Sequence, residues 1–218
     1  MDHPRLTWTE DGTPVATAFD DPYFTGGLDE TRHVFLAGNG LPERLRDGFQ
    51  VAELGFGTGL NLMALAQVWS GPGTLRFTSF EAFPMAATDM DRALARFDLP
   101  LAGQLVAQWD AASGPVRRIA LPGIEAEILI GDARQILPDW RGAADAWFLD
   151  GFAPARNPEL WGEGLMAEVG RHTAPGGTVA TYTAAGHVRR ALQSVGFEVA
   201  RVPGFGRKKH MTTARMPQ

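Results

Sequence analysis

Short apolar runs alternate with segments of helical spacing along most of this chain. From about residue 49 onward, the apolar runs predict strands at 50–54, 75–80, 126–130, 146–149, 177–182, 197–202 and 211–214. Helical spacing predicts helices at 60–69, 85–97, 158–170 and 185–195. Strands that alternate with helices indicate an α/β protein whose mostly parallel sheet is covered on both faces. Because only a loop separates the last two strands, we expect them to form an antiparallel hairpin.

The first 45 residues precede this alternation and carry a different pattern. Two short segments, 6–10 and 14–18, flank Asp11-Gly12, a dipeptide that suits a tight turn, and they predict a hairpin. Helical spacing begins at Asp29 and ends near Gly38-Asn39-Gly40. We therefore expect an N-terminal extension at 1–45, made of a hairpin and a helix, and one α/β domain at 46–218.

Composition is that of a globular protein. The 218 residues are long enough for one α/β domain, and 44% of them are hydrophobic. No apolar run approaches the roughly 20 residues that cross a bilayer, and the first residues do not resemble a signal peptide. The chain has no cysteine, and its histidines lack metal-ligand spacing. We expect a cytoplasmic protein with no membrane partner and no metal site.

Charge is distributed unevenly. The formal net charge of −5 argues against a generic nucleic-acid binder. Residues 187–218 nevertheless carry seven basic side chains and a single acidic one, and the only two lysines, Lys208 and Lys209, follow Arg207. This tail is either a solvated basic face or an electropositive edge that contacts phosphates.

A glycine-rich loop joins the first long strand to the next helix, in the sequence Val51-Ala-Glu53-Leu-Gly55-Phe-Gly57-Thr-Gly59-Leu-Asn61. Glycine permits positive φ and the close approach of a ligand, and the N–H groups at a helix start favour polar or anionic ligand atoms. A nicotinamide dinucleotide site needs Gly-x-Gly-x-x-Gly, and Leu60 stands where its third glycine would be. The spacing resembles motif I of methyltransferases, which binds the methionine part of S-adenosylmethionine. An ordinary tight turn is the alternative.

Two acids follow later strands. Glu81 comes after the strand at 75–80, where a carboxylate can accept hydrogen bonds from ribose hydroxyls. Asp132 follows Ile130-Gly131 and resembles the residue that contacts the adenine amino group in such folds. Either acid could instead serve only as a helix N-cap.

The segment from Phe148 to Trp161 is the most specific of the chain, and it reads Phe148-Leu-Asp150-Gly-Phe152-Ala-Pro154-Ala-Arg156-Asn-Pro158-Glu-Leu-Trp161. Ligands of doubly wound sheets bind beyond the carboxyl ends of the strands, so we expect Asp150 to lie near the ligand. The segment resembles the Asp/Asn-Pro-Pro-Tyr/Phe motif of amino methyltransferases, in which the acid or amide accepts a hydrogen bond from the target amine. A simple turn at the strand end is the alternative.

Methyl-transfer chemistry explains these residue types. Displacement at a sulfonium requires a neutral amine held about 3–3.5 Å from the methyl carbon and in line with the C–S bond. A carboxylate such as Asp150 can orient the amine and stabilise the positive charge that develops on nitrogen. Phe152 can stack on a uracil, as aromatic side chains do in RNA sites. The sequence leaves open whether Asp150 is a base or only an orienting acceptor.

These motifs, with Gly38-Asn-Gly-Leu-Pro-Glu-Arg44 and the ending Pro203-Gly-Phe-Gly-Arg-Lys-Lys-His-Met211, closely resemble the methyltransferase half of the MnmC family and its stand-alone form MnmD. The resemblance implies the class I methyltransferase fold, which is Rossmann-like. It also implies N-methylation of 5-aminomethyl-(2-thio)uridine to 5-methylaminomethyl-(2-thio)uridine at the tRNA wobble position.

The resemblance assigns candidate residues to each ligand. Asp150 is the candidate catalytic residue, and the candidates for binding S-adenosylmethionine are Glu53, Gly55, Gly57, Gly59, Asn61, Glu81 and Asp132. Candidates for contacting the tRNA anticodon loop are Phe152, Pro154, Arg156, Tyr23, Glu30, Arg207, Lys208 and Lys209. For Tyr23 and Glu30 a packing role is an equal alternative.

Bifunctional members of the family continue into a flavin oxidase domain that produces the aminomethyl group. Because the residues up to Gln218 hold no second dinucleotide fingerprint, we expect a methyltransferase alone, supplied by a separate flavin oxidase. The oligomeric state is left open.

Two other functions fit parts of the pattern. An aminopropyltransferase of the spermidine synthase type shares the fold and the glycine loop, although its polyamine site should be richer in acids. A non-catalytic module that binds S-adenosylmethionine or RNA would also keep the loop, but it would not need Asp150.

Overall fold

Residues 3–218 are described by a computed structural model, in which two sheets are formed. The smaller sheet contains β1 (Leu6–Trp8), β2 (Pro14–Ala16) and β3 (Asp21–Pro22). The larger contains β4 (Gln50–Leu54), β5 (Leu75–Glu81), β6 (Val116–Leu121), β7 (Ile124–Ile130), β8 (Ala144–Leu149), β9 (Thr173–Thr181), β10 (Glu198–Pro203) and β11 (His210–Arg215). All seven predicted strands of the larger sheet are therefore present.

The strand order in the larger sheet is β10-β11-β9-β8-β4-β5-β7-β6. The five central strands run parallel to one another. Strand β11 pairs antiparallel with β9 and β10, which confirms the predicted terminal hairpin. Strand β6, antiparallel to β7 at the opposite edge, was not predicted. Its adjacent charged residues Arg117 and Arg118 interrupt the apolar pattern, as an edge strand with one paired side permits.

Helices cover both faces of the larger sheet. They are α1 (Gly27–Thr31), α2 (Leu60–Val68), α3 (Ala87–Leu94), α4 (Ala102–Ala111), α5 (Ala133–Ile136), α6 (Glu163–Arg171) and α7 (Gly186–Ser194). Side chains of α2, α3 and α4 belong to one core cluster, with Leu62, Leu94 and Leu105 fully buried. Side chains of α5, α6 and α7 form the other, around Met166 and Leu192.

Two helix predictions were wrong in detail. The helix expected at 85–97 ends at Leu94, and α4 follows it unpredicted, because α4 buries only Leu105 and Trp109 and so carries a weak periodic signal. The helix expected at 158–170 is a 3-10 turn at Pro158–Trp161 followed by α6. Gly162 separates the two with an extended conformation, ψ 156°.

The N-terminal residues form the predicted hairpin and then pack into the main core. Strands β1 and β2 pair antiparallel, and β3 adds an unpredicted third strand. After α1 the backbone forms a π-helical turn at Arg32–Leu36 and a 3-10 turn at Ala37–Asn39. Phe35 belongs to the same core cluster as the sheet, and Asn39 Nδ2 donates to the carbonyl of Trp147 in β8 at 3.2 Å.

The strand order determines where a ligand site can form. From β4 the chain first builds the sheet towards β5 and β7, and it then returns to add β8 on the other side of β4. Helices that connect β4 and β8 to later strands therefore leave in opposite directions, which opens a crevice at their carboxyl ends. Among residues 3–218, no helix combines the length and the apolar character needed to cross a bilayer.

Candidate active site

A cavity of about 380 Å³ lies at this crevice. The candidate residues that line it are Tyr23, Gly55, Gly57, Asn61, Glu81, Asp132, Asp150 and Phe152. The candidates that do not line it are Glu53, Gly59, Glu30, Pro154, Arg156, Arg207, Lys208 and Lys209. The structure thus brings the glycine loop, the ends of β5, β7 and β8, and the N-terminal segment 19–24 around one space.

Glycine is required in the loop between β4 and α2 for two separate reasons. Gly55 and Gly57 have φ of +84° and +54°, a region that side chains other than glycine rarely adopt. A Cβ at Gly55 would lie 3.3 Å from the carbonyl oxygen of Asp150, and one at Gly57 would lie 3.0 Å from Tyr23. The loop backbone is therefore packed closely against both sides of the cavity.

Gly59 belongs to the glycine-loop motif but does not line the cavity. Its φ is +77°, and a Cβ there would lie 2.8 Å from Leu105 in α4. Because Gly59 precedes α2 and does not line the cavity, its structural function is to allow α2 to pack against α4.

Glu81 is the buried acid at the end of β5, with only 7% of its surface exposed. Its Oε2 accepts from the N–H of Gly57 at 2.8 Å, and its Oε1 accepts from the N–H of Phe83 at 2.6 Å. Burial raises the pKa of Glu81, although these backbone hydrogen bonds oppose the shift. A carboxylate offers about four acceptor positions, so these backbone donors do not exhaust its capacity to bind a ligand in the cavity.

Asp132 caps α5, as one sequence interpretation expected, and it also lines the cavity. Its Oδ1 accepts from the N–H of Arg134 at 2.9 Å, and the Arg134 guanidinium bonds the same carboxylate. These hydrogen bonds from Arg134 hold the pKa of Asp132 below its usual value. Arg134 also pairs with Glu159 at 2.9 Å, at the rim of the cavity.

Asp150 immediately follows β8. Its Oδ1 accepts from the N–H of Gly151 at 2.8 Å, and its Oδ2 accepts from Asn61 Nδ2 at 2.9 Å. Burial raises the pKa of Asp150 to about 7, while both hydrogen bonds oppose that shift. Gly151 has φ +135° and its carbonyl accepts from the Tyr182 hydroxyl at 2.8 Å. The carboxyl group is thus held at both oxygens and changes its charge near neutral pH.

Aromatic rings form the wall beside Asp150. Phe152 stacks on Phe19 with ring centroids 4.4 Å apart and meets the edge of Tyr23 at 5.2 Å. Phe83 contacts Phe19 edge-on and remains 47% exposed, the one large hydrophobic side chain so exposed among the described residues. One face of Phe152 is therefore already covered, a point that the sequence did not indicate.

One hydrogen bond and one ion pair connect the Asp150 segment to the N-terminal segment. The N–H of Ala153 donates to Asp21 Oδ2 at 2.7 Å. Arg156, a predicted substrate residue, pairs with Asp20 at 3.0 Å and stays half exposed. Pro154 follows in the same loop without reaching the cavity. The N-terminal segment therefore helps to fix the position of the loop that follows Asp150.

One of the three predicted residues of the basic tail, Lys208, contacts other parts of the protein outside the cavity. Lys208 Nζ pairs with Glu30 Oε1 at 2.8 Å and lies 4.1 Å from the ring centroid of Tyr182. Burial raises the pKa of Glu30, but the hydrogen bonds from Lys208, Gly26 and Thr25 outweigh it and leave the pKa lowered. Lys208 is thus engaged within the protein, whereas Arg207 and Lys209 are exposed.

Several residues in or near the site were not identified from the sequence. Ser79 and Thr31 bond the predicted residues Glu53 and Asn61, and Phe19, Phe83 and Tyr182 shape the wall near Asp150. Tyr182 directly follows a strand, which is a usable signal for a ligand-side position. The others lie in segments without a motif, and only the packing of distant elements brings them here.

Comparison with known proteins identifies the class. The family described as S-adenosyl-L-methionine-dependent methyltransferase matches residues 99–217. The chain therefore belongs to this family, and its methyl donor is S-adenosyl-L-methionine. Both the cofactor and the methyltransferase class expected from the glycine loop and the Asp150 segment are confirmed.

The particular relatives are tRNA-modifying proteins. The chain is 45% identical over 97% of its length to the tRNA 5-methylaminomethyl-2-thiouridine biosynthesis bifunctional protein MnmC of Caulobacter vibrioides. It spans 38% of the length of that relative. The predicted resemblance to MnmC is thus confirmed.

Solved structures agree on the fold. The crystal structure of MnmC2 from Aquifex aeolicus has a TM-score of 0.79 at 24% identity and covers 100% of this chain and 73% of its own. Spermidine synthase from Thermotoga maritima has a TM-score of 0.56 at 12% identity, covering 99% of this chain and 70% of its own. At these identities each shows a shared fold alone.

Proposed function

We propose that this protein transfers a methyl group from S-adenosylmethionine to the primary amine of 5-aminomethyl-(2-thio)uridine at the wobble position of tRNA. The single observation that carries the proposal is Asp150, a carboxyl group held at the edge of the cofactor cavity and poised to ionise near neutral pH. The similarity to MnmC proteins supports this substrate, since the methylamino group in the product named for them requires a methyl donor.

The cavity residues fit S-adenosylmethionine. Gly55 and Gly57 line the cavity, and their positive φ lets the loop turn its backbone towards a ligand there. We assign the buried carboxylate of Glu81 to ribose hydroxyls and Asp132 to the adenine amino group, because both are acceptors that line the cavity. The bound cofactor supplies an electrophilic methyl group on a sulfonium.

Asp150 then acts on the amine. In its ionised form it accepts a hydrogen bond from the neutral amine, fixes the direction of the nitrogen lone pair and stabilises the positive charge that develops on nitrogen. A carbon–nitrogen bond forms as the carbon–sulfur bond breaks, and the product ammonium loses its proton to water. Orientation rather than strong basicity is therefore its proposed role.

We assign the base and the RNA backbone to two different sets of residues. We assign to the uracil the surface of Phe152 that Phe19 leaves uncovered, with Tyr23 at its edge. Exposed Arg207 and Lys209 are the proposed phosphate contacts, since a chain with net charge −5 needs a local positive region to bind RNA. The proposed setting is the cytoplasm, after a flavin-dependent oxidation has exposed the primary amine.

The test is transfer of labelled methyl from S-adenosylmethionine to tRNA that carries 5-aminomethyl-2-thiouridine, with the unmodified tRNA as control. We expect label in the modified tRNA only, and a loss of at least about 100-fold in Asp150→Ala while cofactor affinity persists. A wild-type protein that binds the cofactor but leaves this tRNA unlabelled refutes the substrate assignment.

A further inference from the structure

Glu53 belongs to the glycine-loop motif but is fully buried beneath the cavity. Its exposure is 0%, and it does not line the cavity, so no bound ligand can touch it. Its Oε1 accepts from Asn61 Nδ2 at 2.8 Å, and its Oε2 lies 2.7 Å from Ser79 Oγ on the neighbouring strand β5. The expectation that Glu53 contacts the cofactor thus has no geometric support.

Asn61 connects this buried group to Asp150. Its Nδ2 lies 2.8 Å from Glu53 Oε1 and 2.9 Å from Asp150 Oδ2, so each of its two amide hydrogens has a different carboxyl acceptor. Thr31 Oγ1 donates to Asn61 Oδ1 at 3.0 Å. A rotated amide would place its oxygen against two acceptors, so the three partners together determine one orientation.

The charge of Glu53 matters to this arrangement. Burial raises the pKa of Glu53 to about 8, so the group is mainly neutral at pH 7. A neutral carboxyl still accepts from Asn61 through Oε1 and can donate its own O–H to Ser79. An ionised Glu53 would instead add a second negative charge beside Asp150 and raise the pKa of Asp150 further.

We propose that Glu53 is a positioning residue, which in its neutral form holds the Asn61 amide so that this amide orients the carboxylate of Asp150. This role rests on the proposed function only in its final step, because Asp150 must be the group that receives the amine. The chain of contacts itself, from Ser79 through Glu53 and Asn61 to Asp150, depends on no substrate.

Three variants test the proposal. Glu53→Ala removes the acceptor for Asn61, Thr31→Val removes the hydroxyl that orients the amide, and Glu53→Gln keeps an acceptor for Asn61 and a donor for Ser79 without any charge. The matched control is Thr78→Val, which removes a buried hydroxyl from the same strand as Ser79. Thr31→Val provides the test even if Glu53→Ala does not fold.

The first readout is the titration of the Asp150 carboxyl, followed by carbon-13 NMR and assigned by its absence in Asp150→Asn. We expect its midpoint to rise in Glu53→Ala and Thr31→Val, because Oδ2 loses an ordered donor, and to stay near the wild-type value in Glu53→Gln and Thr78→Val. An unchanged midpoint in both disrupting variants overturns the proposal, and a lower midpoint in Glu53→Ala shows that Glu53 acts instead as a negative charge.

The second readout is catalysis. We expect kcat to fall about 10- to 100-fold in Glu53→Ala, with cofactor affinity retained, and most of that loss to be restored in Glu53→Gln. Equal losses in the two Glu53 variants contradict a neutral positioning role. If the wild type itself transfers no methyl to the modified tRNA, the proposed function fails, whereas the NMR titration still decides the role of Glu53.

Discussion

The two halves of the cavity are built in different ways. The side that we assign to the cofactor comes from the ends of β4, β5 and β7, with the loop backbone bonded directly to Glu81. The side that we assign to the substrate is assembled from the N-terminal segment and the Asp150 loop, which a hydrogen bond from Ala153 to Asp21 joins. One half is centred on backbone groups of the motif loop, and the other depends on side-chain contacts between segments far apart in sequence.

This difference explains why the two halves should respond differently to substitution. Glu81 is fixed by backbone N–H groups, which no side-chain replacement removes. Asp150 is fixed on one oxygen by a side chain, Asn61, whose own orientation depends on Thr31 and Glu53. We therefore expect cofactor affinity to be robust and the orientation of the amine to be sensitive.

The largest effect is expected from Gly151→Ala, on the substrate side. The residue has φ +135°, and an added Cβ would lie 2.3 Å from Leu160, so the Asp150 loop must shift. A displacement of about 1 Å at the reacting groups should lower kcat about 100-fold while cofactor affinity changes little. Single-turnover kinetics and calorimetric cofactor binding measure both, and equal losses in the two would contradict the comparison.

Gly57→Ala should show the opposite pattern on the cofactor side. A side chain at φ +54° is strained, and the new Cβ meets Tyr23 at 3.0 Å. We expect cofactor affinity about 10-fold weaker, with kcat at saturating cofactor largely preserved. The control is Gly103→Ala in α4, where no atom lies within 4 Å of the added Cβ. An unchanged cofactor affinity in Gly57→Ala would refute the proposal that the glycine loop binds the cofactor.

The next largest effect is expected in pH dependence, which should differ between methyl transfer and cofactor binding. Burial raises the pKa of Asp150 to about 7 from 3.8, so its carboxylate forms only as the pH rises through about 7. Methyl transfer should therefore increase over that range, while cofactor affinity should not follow the same curve.

The same shift affects stability. Because the folded state prefers the protonated form of Asp150, the fold should become more stable as the pH falls from about 7 towards 4. Thermal unfolding of wild type and Asp150→Asn across this range checks the sign.

The smallest effects are expected in the basic tail, where two adjacent lysines differ. Lys208→Ala leaves the buried Glu30 with only its Thr25 and Gly26 donors, and should cost about 1 kcal/mol of unfolding free energy. Lys209→Ala removes an exposed charge and should leave stability unchanged. If Lys209 contacts phosphate, its removal should lower the slope of log affinity against log salt by about one. Identical behaviour of the two variants would contradict the structural distinction between them.

Sequence reasoning predicted the central strands and the terminal hairpin because buried parallel strands are nearly continuous apolar runs. It missed β6 and α4, where exposure on one side dilutes the apolar pattern. It also located Gly55, Gly57, Glu81 and Asp132, since these follow strand ends at motif spacing. The motif did not show that Glu53 and Gly59 lie outside the cavity, because spacing along the chain does not indicate which side of the loop a residue faces.

The sequence by itself determined the class of protein, the methyl donor and the position of Asp150 at a strand end, because these are encoded in contiguous segments. Only the tertiary structure decided that Asn61 joins Glu53 to Asp150, that Phe19 covers Phe152 and that Lys208 is paired with Glu30. Except for the bond between Asn61 and Glu53, which spans only the glycine loop, these contacts join elements that the chain separates by other strands or helices. Their distances depend on how those elements pack. A local pattern carries no information about such packing, so the orientation of the Asp150 carboxyl is a property of the folded molecule.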